Sequence, residues 1–300
     1  TDKARMRRVL AEAGVRSPGH RMVRDADEVT VSDMPPFPLV VKPVDNMGAR
    51  GVRRGENGAQ LREAVRQAVQ FSRSGRVIIE QYIDGPEFSI DALVVDGTLH
   101  VCGIADRHIR FAPYFIEVGH TIPTQLDERR RREIADVLEE AAAALGIKNG
   151  AAKGDIFLTE QGAVVGEVAA RLSGGYMSGW TYPYASGVPV TEQAMRIALG
   201  MDPGSLEQRW DWVSAERAFI SIPGTVRSLT GAEEVRSLPG VKELFVRVSP
   251  GDRVRMPRNN VEKSGNVIAV GPTRAEAVAR AEAAIRRLLV ILDPGDERTL

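Results

Sequence analysis

The sequence predicts a mixed fold of helices and strands, either α/β or α+β, built from more than one lobe. Its 300 residues, 43% of them hydrophobic, suffice for one large domain or for two or three smaller ones. Segments with helical and with strand periodicity alternate along the chain. We find no long internal repeat, and this argues against a solenoid.

The predicted elements follow one another in order. Asp2 can cap a helix over residues 3–13, which Gly14 ends. Further helices are predicted over residues 60–71, 127–145, 190–199, 232–237 and 273–289. Strands are predicted over residues 39–42, 77–82, 87–95, 98–105, 217–223, 241–248 and 265–271, with hairpin turns at 96–97 and 160–162. Residues 201–204, Met-Asp-Pro-Gly, indicate a boundary.

The composition argues against several classes of protein. Lys plus Arg and Asp plus Glu both total 40, so the chain lacks the basic excess that a general nucleic-acid binder needs. A local basic pocket for a small anion stays open. The single cysteine, Cys102, excludes an internal disulfide and suits a reducing compartment, so we predict a cytoplasmic protein. No apolar run approaches the roughly 20 residues that span a bilayer, and we expect no membrane partner.

The hairpin over residues 154–171 carries the first candidate site. Folding about its turn sets Asp155 opposite Glu167, although like charges placed directly opposite destabilise a strand pair. Strand alternation brings Arg171 to the same face. Two carboxylates with few other ligands suit Mg²⁺, which completes its shell with water and phosphates. A solvent-exposed hairpin with scattered charges is the alternative.

A glycine loop after the first strand is the second candidate. Lys42 ends the strand, and Gly48, Ala49, Arg50 and Gly51 follow it closely. Glycines let backbone N–H groups approach phosphate oxygens, and the two basic side chains add positive charge. The loop matches neither a Walker P-loop nor a dinucleotide fingerprint, so a plain turn is an equal alternative.

A third candidate is the strand end Glu80, Gln81, Tyr82 and Ile83, with Glu87 four residues later. Backbone groups at a strand that leaves its sheet can bind an adenine edge, and a carboxylate can bind ribose hydroxyls. An ordinary strand, turn and strand with surface glutamates is the alternative. Zinc-type Cys/His spacing and nucleophile motifs such as GxSxG are absent from the sequence, which disfavours covalent catalysis by a side chain.

Taken in order, these segments resemble the ATP-grasp superfamily of carboxylate–amine ligases, from Thr1 to about Gly200 and again in the last third. The stretches at residues 42–46, 114–123 and 265–271 look most like those of amino-acid ligases. Carbamoyl phosphate synthetases, biotin carboxylases and purine-pathway ligases stay open.

The resemblance implies an α+β architecture, the ATP-grasp fold, in which two α+β lobes clasp ATP. On this basis we expect the ATP-grasp domain over residues 1–200, with a small lobe over about 16–85 and a larger lobe over about 86–200. Residues 201–300 would then form a C-terminal α/β lobe that completes the ligase.

The resemblance also assigns roles and cofactors, namely ATP and Mg²⁺, with Mn²⁺ as an alternative. The implied roles are Lys3, Lys42 and residues 48–51 for the phosphates, residues 80–83 for adenine, Glu87 for ribose, Asp155 and Glu167 for the metal, and Arg171 for the charge of an acyl phosphate. Two positions depart from the family pattern: Ala169 replaces an asparagine that often provides a metal ligand, and Lys153 replaces a common histidine.

The substrate pocket is the least determined part. Glu117, His120, Arg171, Gly174 and Gly175 are its predicted residues. His120 is a candidate base for an incoming amine if its pKa is near neutral. A structural histidine beside Gly119 is the alternative.

The implied reaction converts ATP and a carboxylate into an acyl phosphate and ADP, and an amine then attacks. The expected partners are therefore a small-molecule carboxylate and a small-molecule amine. A catalytically weak nucleotide-binding module stays open as an alternative. The family places a Rossmann-like domain before Lys3, so we expect this chain to be part of a longer protein, or a subunit whose partner chain supplies that domain. A homodimer is a further alternative.

Overall fold

The first helix begins and ends close to where the sequence predicts. The structure, a computed structural model, describes residues 2–293. Helix α1 spans Lys3–Glu12, and the Asp2 side chain caps it by accepting a hydrogen bond of 2.9 Å from the N–H of Arg5. Gly14 then adopts a left-handed φ of +73°, a conformation that favours glycine and ends the helix.

A small lobe comes next in the chain. Its elements are β1 (His20–Val23), β2 (Leu39–Pro43), β3 (Arg53–Gly55), α2 (Gly58–Phe71) and β4 (Val77–Gln81). The strands form an antiparallel sheet in the order β1-β4-β2-β3. Helix α2 packs one apolar stripe on this sheet, and its buried residues are Leu61, Ala64, Val65 and Ala68.

The larger lobe contains the carboxylate hairpin. Its elements are β5 (Glu87–Val95), β6 (Thr98–Arg110), β7 (Ile116–Ile122), α3 (Glu128–Ala144), β8 (Gly150–Thr159), β9 (Gly162–Ala169), α4 (Tyr182–Ser186) and α5 (Val190–Ala198). The hairpin predicted at residues 96–97 is confirmed: Asp96 and Gly97 both have positive φ, as a two-residue turn of this kind requires. Helix α3 packs Ile134 and Leu138 against the sheet, where Ile156 lies.

The last third extends the same sheet. Its elements are β10 (Val213–Phe219), β11 (Gly224–Thr230), α6 (Ala232–Arg236), β12 (Val241–Val246), β13 (Arg253–Val254), β14 (Gly265–Gly271), α7 (Arg274–Arg287) and β15 (Leu289–Asp293). Eight strands pair in the order β12-β14-β10-β7-β6-β5-β8-β9, and a smaller sheet has the order β13-β11-β15.

The boundary predicted at residue 200 therefore divides the sequence but not the sheet. Strand β10 pairs directly with β7 and satisfies the backbone groups that β7 would otherwise expose at an edge. Strands β10, β12 and β14 pair antiparallel, and the last third also contains helices α6 and α7. Within residues 2–293, no helix combines the length and apolar character needed to cross a membrane.

The buried side chain of Arg7 joins α1 to both lobes. Its Nε donates to Glu80 Oε1 at 2.7 Å, its Nη1 donates to the carbonyl of Val165 at 2.8 Å, and its Nη2 donates to the carbonyl of Gly166. Glu80 also accepts a hydrogen bond of 2.8 Å from Lys42. One guanidinium thus connects β4 of the small lobe with β9 of the larger lobe.

Replacement of this arginine tests that connection. We expect Arg7→Met to lower the free energy of unfolding by about 3–5 kcal/mol, because it leaves a buried carboxylate with one cation fewer. Arg8→Met is the matched control on the same helix: its side chain is 68% exposed and lies 3.8 Å from Glu12, so we expect a loss of about 0.5 kcal/mol or less. Urea unfolding measures both, and equal losses would contradict the proposed connection.

Candidate active site

The carboxylate pair of the hairpin lies in the predicted register. Strands β8 and β9 set Asp155 opposite Glu167, although the turn is two residues long and begins with Thr159 opposite Gly162. A bulge between these points absorbs one extra residue, Gly166, and restores the pairing. A Cβ on Gly166 would lie 2.7 Å from the Phe157 ring and 2.9 Å from the Asp155 carbonyl, so the bulge requires glycine.

Positive side chains compensate the charge of Asp155. Its Oδ1 lies 2.9 Å from Arg107 Nη1 and accepts a hydrogen bond of 3.1 Å from Ser89 Oγ, and its Oδ2 accepts one from Lys153 Nζ. Burial alone would raise the pKa of Asp155, but Arg107 and Lys153 outweigh it and lower the pKa below its usual value. The carboxylate is therefore ionised at neutral pH.

Arg107 is the centre of the charged cluster, and no local pattern in the sequence marks it. Its guanidinium binds three carboxylates: Glu87, Glu117 at 2.7 Å and Asp155 at 2.9 Å. These carboxylates raise its pKa well above the ordinary value, although burial alone would lower it. The strands that supply the cluster are β5, β6, β7 and β8, so only the folded sheet brings it together.

The surroundings of His120 favour a structural histidine over a base for the incoming amine. Its side chain is fully buried, with Nδ1 2.8 Å from Glu216 Oε2. Its Nε2 lies 3.3 Å from Glu117 Oε2, an ion-pair contact without hydrogen-bond geometry. Burial alone would lower the pKa of His120, but the two carboxylates raise it to about 9. At neutral pH His120 is an imidazolium that holds Glu117 in place.

The two predicted phosphate lysines have different partners. Lys3 Nζ donates to the carbonyl of Asn46 at 2.7 Å and lies 3.8 Å from Glu167 Oε1. Lys42 binds Glu80, whose pKa falls to about 2 because Lys42 and Arg7 outweigh its burial. The Glu80 side chain is thus a counter-ion, so its predicted adenine contact would have to come from its backbone and stays a prediction.

After Glu80, residues 81–83 leave only some of their backbone groups available for adenine. The N–H of Gln81 donates to the carbonyl of Gly19, and the N–H of Tyr82 donates to that of Pro38. Among the described residues the N–H of Ile83 has no such acceptor. This leaves it free for a ligand.

The glycine loop contacts the last third of the chain. Gly48, Ala49 and Gly51 all have positive φ, and Arg50 Nε donates to the carbonyl of Met47 at 3.0 Å. The N–H of Asn260 donates to the carbonyl of Gly48 at 3.1 Å.

The same region reaches Glu117 on β7. Asn260 Oδ1 accepts a hydrogen bond of 2.9 Å from the N–H of Glu117, and the buried Lys263 donates to the Glu117 carbonyl at 2.9 Å. Neither residue was predicted, because both lie some 140 positions from their partner and no local pattern marks them.

The segment after β9 lies beside this cluster. Gly174 and Gly175 are exposed, and a Cβ on Gly175 would lie 3.5 Å from Glu117 Oε1. Ser173 is anchored to the buried Asp91 through its N–H and its hydroxyl, at 2.9 and 2.7 Å. Arg171 is exposed and donates to the carbonyl of Leu172, without an ion pair among residues 2–293.

The carboxylates of the site can hold the implied Mg²⁺ only together with ligands from a bound nucleotide. Within the described residues, no group of three or more His, Cys, Asp or Glu is arranged to hold a metal by itself. Glu167 has a side chain 26% exposed, and its one charged contact is Lys3 at 3.8 Å, so it keeps lone pairs for a cation. This fits an ion that arrives with nucleotide phosphates, since Mg²⁺ commonly uses one or two carboxylates plus phosphate oxygens.

The chain matches two family models and several curated relatives. Residues 35–179 match the model of the ATP-grasp domain, and residues 218–293 match that of the L-amino acid ligase C-terminal domain 2. The chain is 29% identical over 282 residues to the uncharacterized protein y4rH of Sinorhizobium fredii, covering 92% of this chain and 58% of that protein. It is 30% identical over 151 residues to a D-alanine–D-alanine ligase of Pseudomonas fluorescens, covering 49% and 46%. The chain thus spans about half the length of these relatives.

Solved structures extend the likeness to nearly the whole chain. The L-amino acid ligase from Bacillus licheniformis superposes with a TM-score of 0.84 at 25% identity, covering 98% of this chain and 72% of that one. The biotin carboxylase from Campylobacter jejuni gives a TM-score of 0.73 at 20% identity, covering 97% and 67%. The second likeness shows a shared fold alone.

The shifted pKa of His120 predicts a pH dependence of stability. The folded-state pKa, about 9, lies above the ordinary 6.5, so its stabilisation is complete below pH 6.5 and is lost as the pH rises through 9. We expect the free energy of unfolding to fall by up to about 3 kcal/mol over this window. Denaturant unfolding at pH 6.5 and pH 9.5 measures the loss.

Two variants isolate the contribution of His120. His120→Gln is expected to remove most of this pH dependence, whatever its stability at pH 6.5. His100→Gln, at an exposed position of β6, is expected to keep the wild-type loss. The same pH dependence in the wild type and in His120→Gln would contradict the assignment.

Proposed function

Because this chain belongs to the ATP-grasp family, we propose that it is a ligase that activates a carboxylate with ATP and joins it to an amine. The position of Lys3 supports this most. It touches the glycine-loop segment at Asn46 and lies 3.8 Å from Glu167. The Lys3 side chain therefore lies between the loop proposed to bind the phosphates and the carboxylate proposed to bind the metal.

We assign the nucleotide-binding roles as follows. Lys3, Lys42 and residues 48–51 bind the phosphates, since fixed positive charge and backbone N–H groups favour a polyanion. The backbone of residues 81–83 binds adenine, and Glu87 binds the ribose hydroxyls. The lysines exchange their contacts with Asn46 and Glu80 for phosphate oxygens, which keeps every charge paired.

The reaction would proceed through an acyl phosphate. When bound, Mg²⁺ neutralises charge on the phosphates during transfer to the carboxylate. Glu167 would hold the ion directly, and Asp155, whose oxygens face Arg107, Ser89 and Lys153, would act on it through its negative charge. The exposed guanidinium of Arg171 is free to approach the negative charge that develops on the acyl phosphate. Glu117, held by Arg107 and His120, lines the substrate side with Gly174 and Gly175 and is placed to attract an amine.

The substrates proposed are a small carboxylic acid and an amine, with amino acids favoured. The match of residues 218–293 to the L-amino acid ligase domain and the matched D-alanine–D-alanine ligase support this choice. A chain of this family that binds nucleotide without ligating is the competing function, favoured by Ala169 in place of a metal ligand.

Location and assembly are proposals too. Cys102 is a free cysteine, and a chain whose one cysteine forms no disulfide suits a reducing, cytoplasmic setting, which we propose for it. A homodimer, or a partner chain that completes the substrate pocket, is proposed as the working assembly.

Trapping of the acyl phosphate tests the reaction class. We expect ADP release from Mg²⁺-ATP to depend on an amino acid, and hydroxylamine to convert the activated carboxyl into a hydroxamate. Bicarbonate serves as the control substrate, because stimulation by bicarbonate alone would indicate a carboxylase-like ligase. Nucleotide binding with no carboxylate-dependent ADP release would favour the binding module.

A variant of the carboxylate pair tests the site. Glu167→Gln is expected to reduce kcat at least about 100-fold, since metal stabilisation of the transferring phosphoryl group is worth several kcal/mol. Glu160→Gln, at an exposed position of the same hairpin turn, is the matched control and should retain activity. Thermal unfolding of both variants checks the fold. Activity of Glu167→Gln within a few-fold of wild type would remove the metal role.

A further inference from the structure

The two positions that depart from the family pattern face each other. In the β8–β9 register Lys153 lies opposite Ala169, and Asp155 lies opposite Glu167. Because side chains alternate along a strand, these four side chains share one face of the hairpin. Lys153 and Ala169 are therefore next to the proposed metal ligands rather than elsewhere on the sheet.

Lys153 pairs with Oδ2 of Asp155, the oxygen that Arg107 and Ser89 do not contact. Its side chain is only 10% exposed, and its Nζ forms an ion pair with Asp155 Oδ2. The other oxygen, Oδ1, is contacted by Arg107 at 2.9 Å and by Ser89 at 3.1 Å. Both oxygens of Asp155 thus already face donors supplied by the protein.

A second divalent ion does not fit beside this pair. The methyl group of Ala169 offers no ligand, and the nearby carboxylates Glu87 and Glu117 both bind Arg107. A divalent ion bound to Oδ2 of Asp155 would displace the Lys153 ammonium. The ammonium would then be a buried charge without a partner, which is costly. Among residues 2–293, Glu167 has no such fixed donor within hydrogen-bond distance, so the donor set accommodates one ion.

We propose that the Lys153 ammonium takes the place of a second divalent cation, so that the nucleotide site works with a single Mg²⁺ or Mn²⁺ on the Glu167 side. The inference rests on the proposed ATP site. An ammonium has three N–H donors, so Lys153 can keep its bond to Asp155 and donate to a phosphate oxygen. It supplies one fixed positive charge that does not depend on the free metal concentration.

Counting bound Mn²⁺ tests the proposal without relying on catalysis. Free Mn²⁺ is measured by electron paramagnetic resonance while it is titrated into the chain with saturating adenylyl imidodiphosphate, a non-hydrolysable ATP analogue. The wild type is expected to bind one Mn²⁺ per bound nucleotide. Two ions per nucleotide would overturn the inference and leave the ligase proposal intact. A lack of nucleotide-dependent Mn²⁺ binding would overturn both.

Variants at Lys153 sharpen the count. Lys153→Met is expected to weaken nucleotide binding about 10-fold, the effect of one charged hydrogen bond, and to admit a second Mn²⁺ at Asp155. The double variant Lys153→His with Ala169→Asn, which supplies two ligands, should bind two ions. Lys148→Met, at an exposed lysine just before β8, is the control and should bind one. A single ion in both Lys153 variants would overturn the inference, and the wild-type count stays decisive if either variant unfolds.

Discussion

The buried guanidinium of Arg7 is the contact on which the rest of the candidate site depends. It binds Glu80 on β4 and the carbonyls of Val165 and Gly166 on β9. Gly166 is the bulged residue that brings Asp155 and Glu167 opposite each other. The same side chain therefore ties the small lobe to the larger one and holds the backbone that sets the carboxylate register. A charge with no exposed surface must keep all its partners, so the geometry on both sides is fixed together.

Charge pairing explains why the site can be both buried and ready for a polyanion. Glu80 is shared by Arg7 and Lys42, Arg107 is shared by three carboxylates, and His120 lies between Glu117 and Glu216. Each of these buried charges has a charged partner, which limits the desolvation cost. Lys42 and Glu167, with side chains 21% and 26% exposed, are the members at the solvent-facing margin, so they can exchange partners for a nucleotide at lower cost than the buried members.

Local patterns in the sequence predict much of this architecture but little of its long-range pairing. The helices at residues 3–13, 60–71 and 273–289 have capping residues and apolar periodicity, and the structure confirms them within about two residues. Strands β1, β3, β7, β11, β13 and β15 were not predicted, and β10 begins four residues before the expected position, because short strands are specified by the partners that they meet across the sheet. The carboxylate register was predictable, since both strands belong to one hairpin. Arg107, Asn260 and Lys263 were not, because their partners come from strands distant in sequence. For His120 the sequence supplied the residue but not the two carboxylates that raise its pKa.

The departures at Lys153 and Ala169 are best understood as one change. Considered separately, the loss of an amide ligand at position 169 weakens a metal site, and a lysine in place of histidine adds a buried charge with no purpose. The β8–β9 register removes both difficulties, because the lysine lies directly across from the alanine and pairs with Asp155. A small residue at position 169 leaves room for the longer side chain, and the lysine supplies the positive charge that the missing ligand would have helped to bind. What positions 153 and 169 must provide together is a positive charge beside Asp155. Either a metal ion or an ammonium can supply that charge.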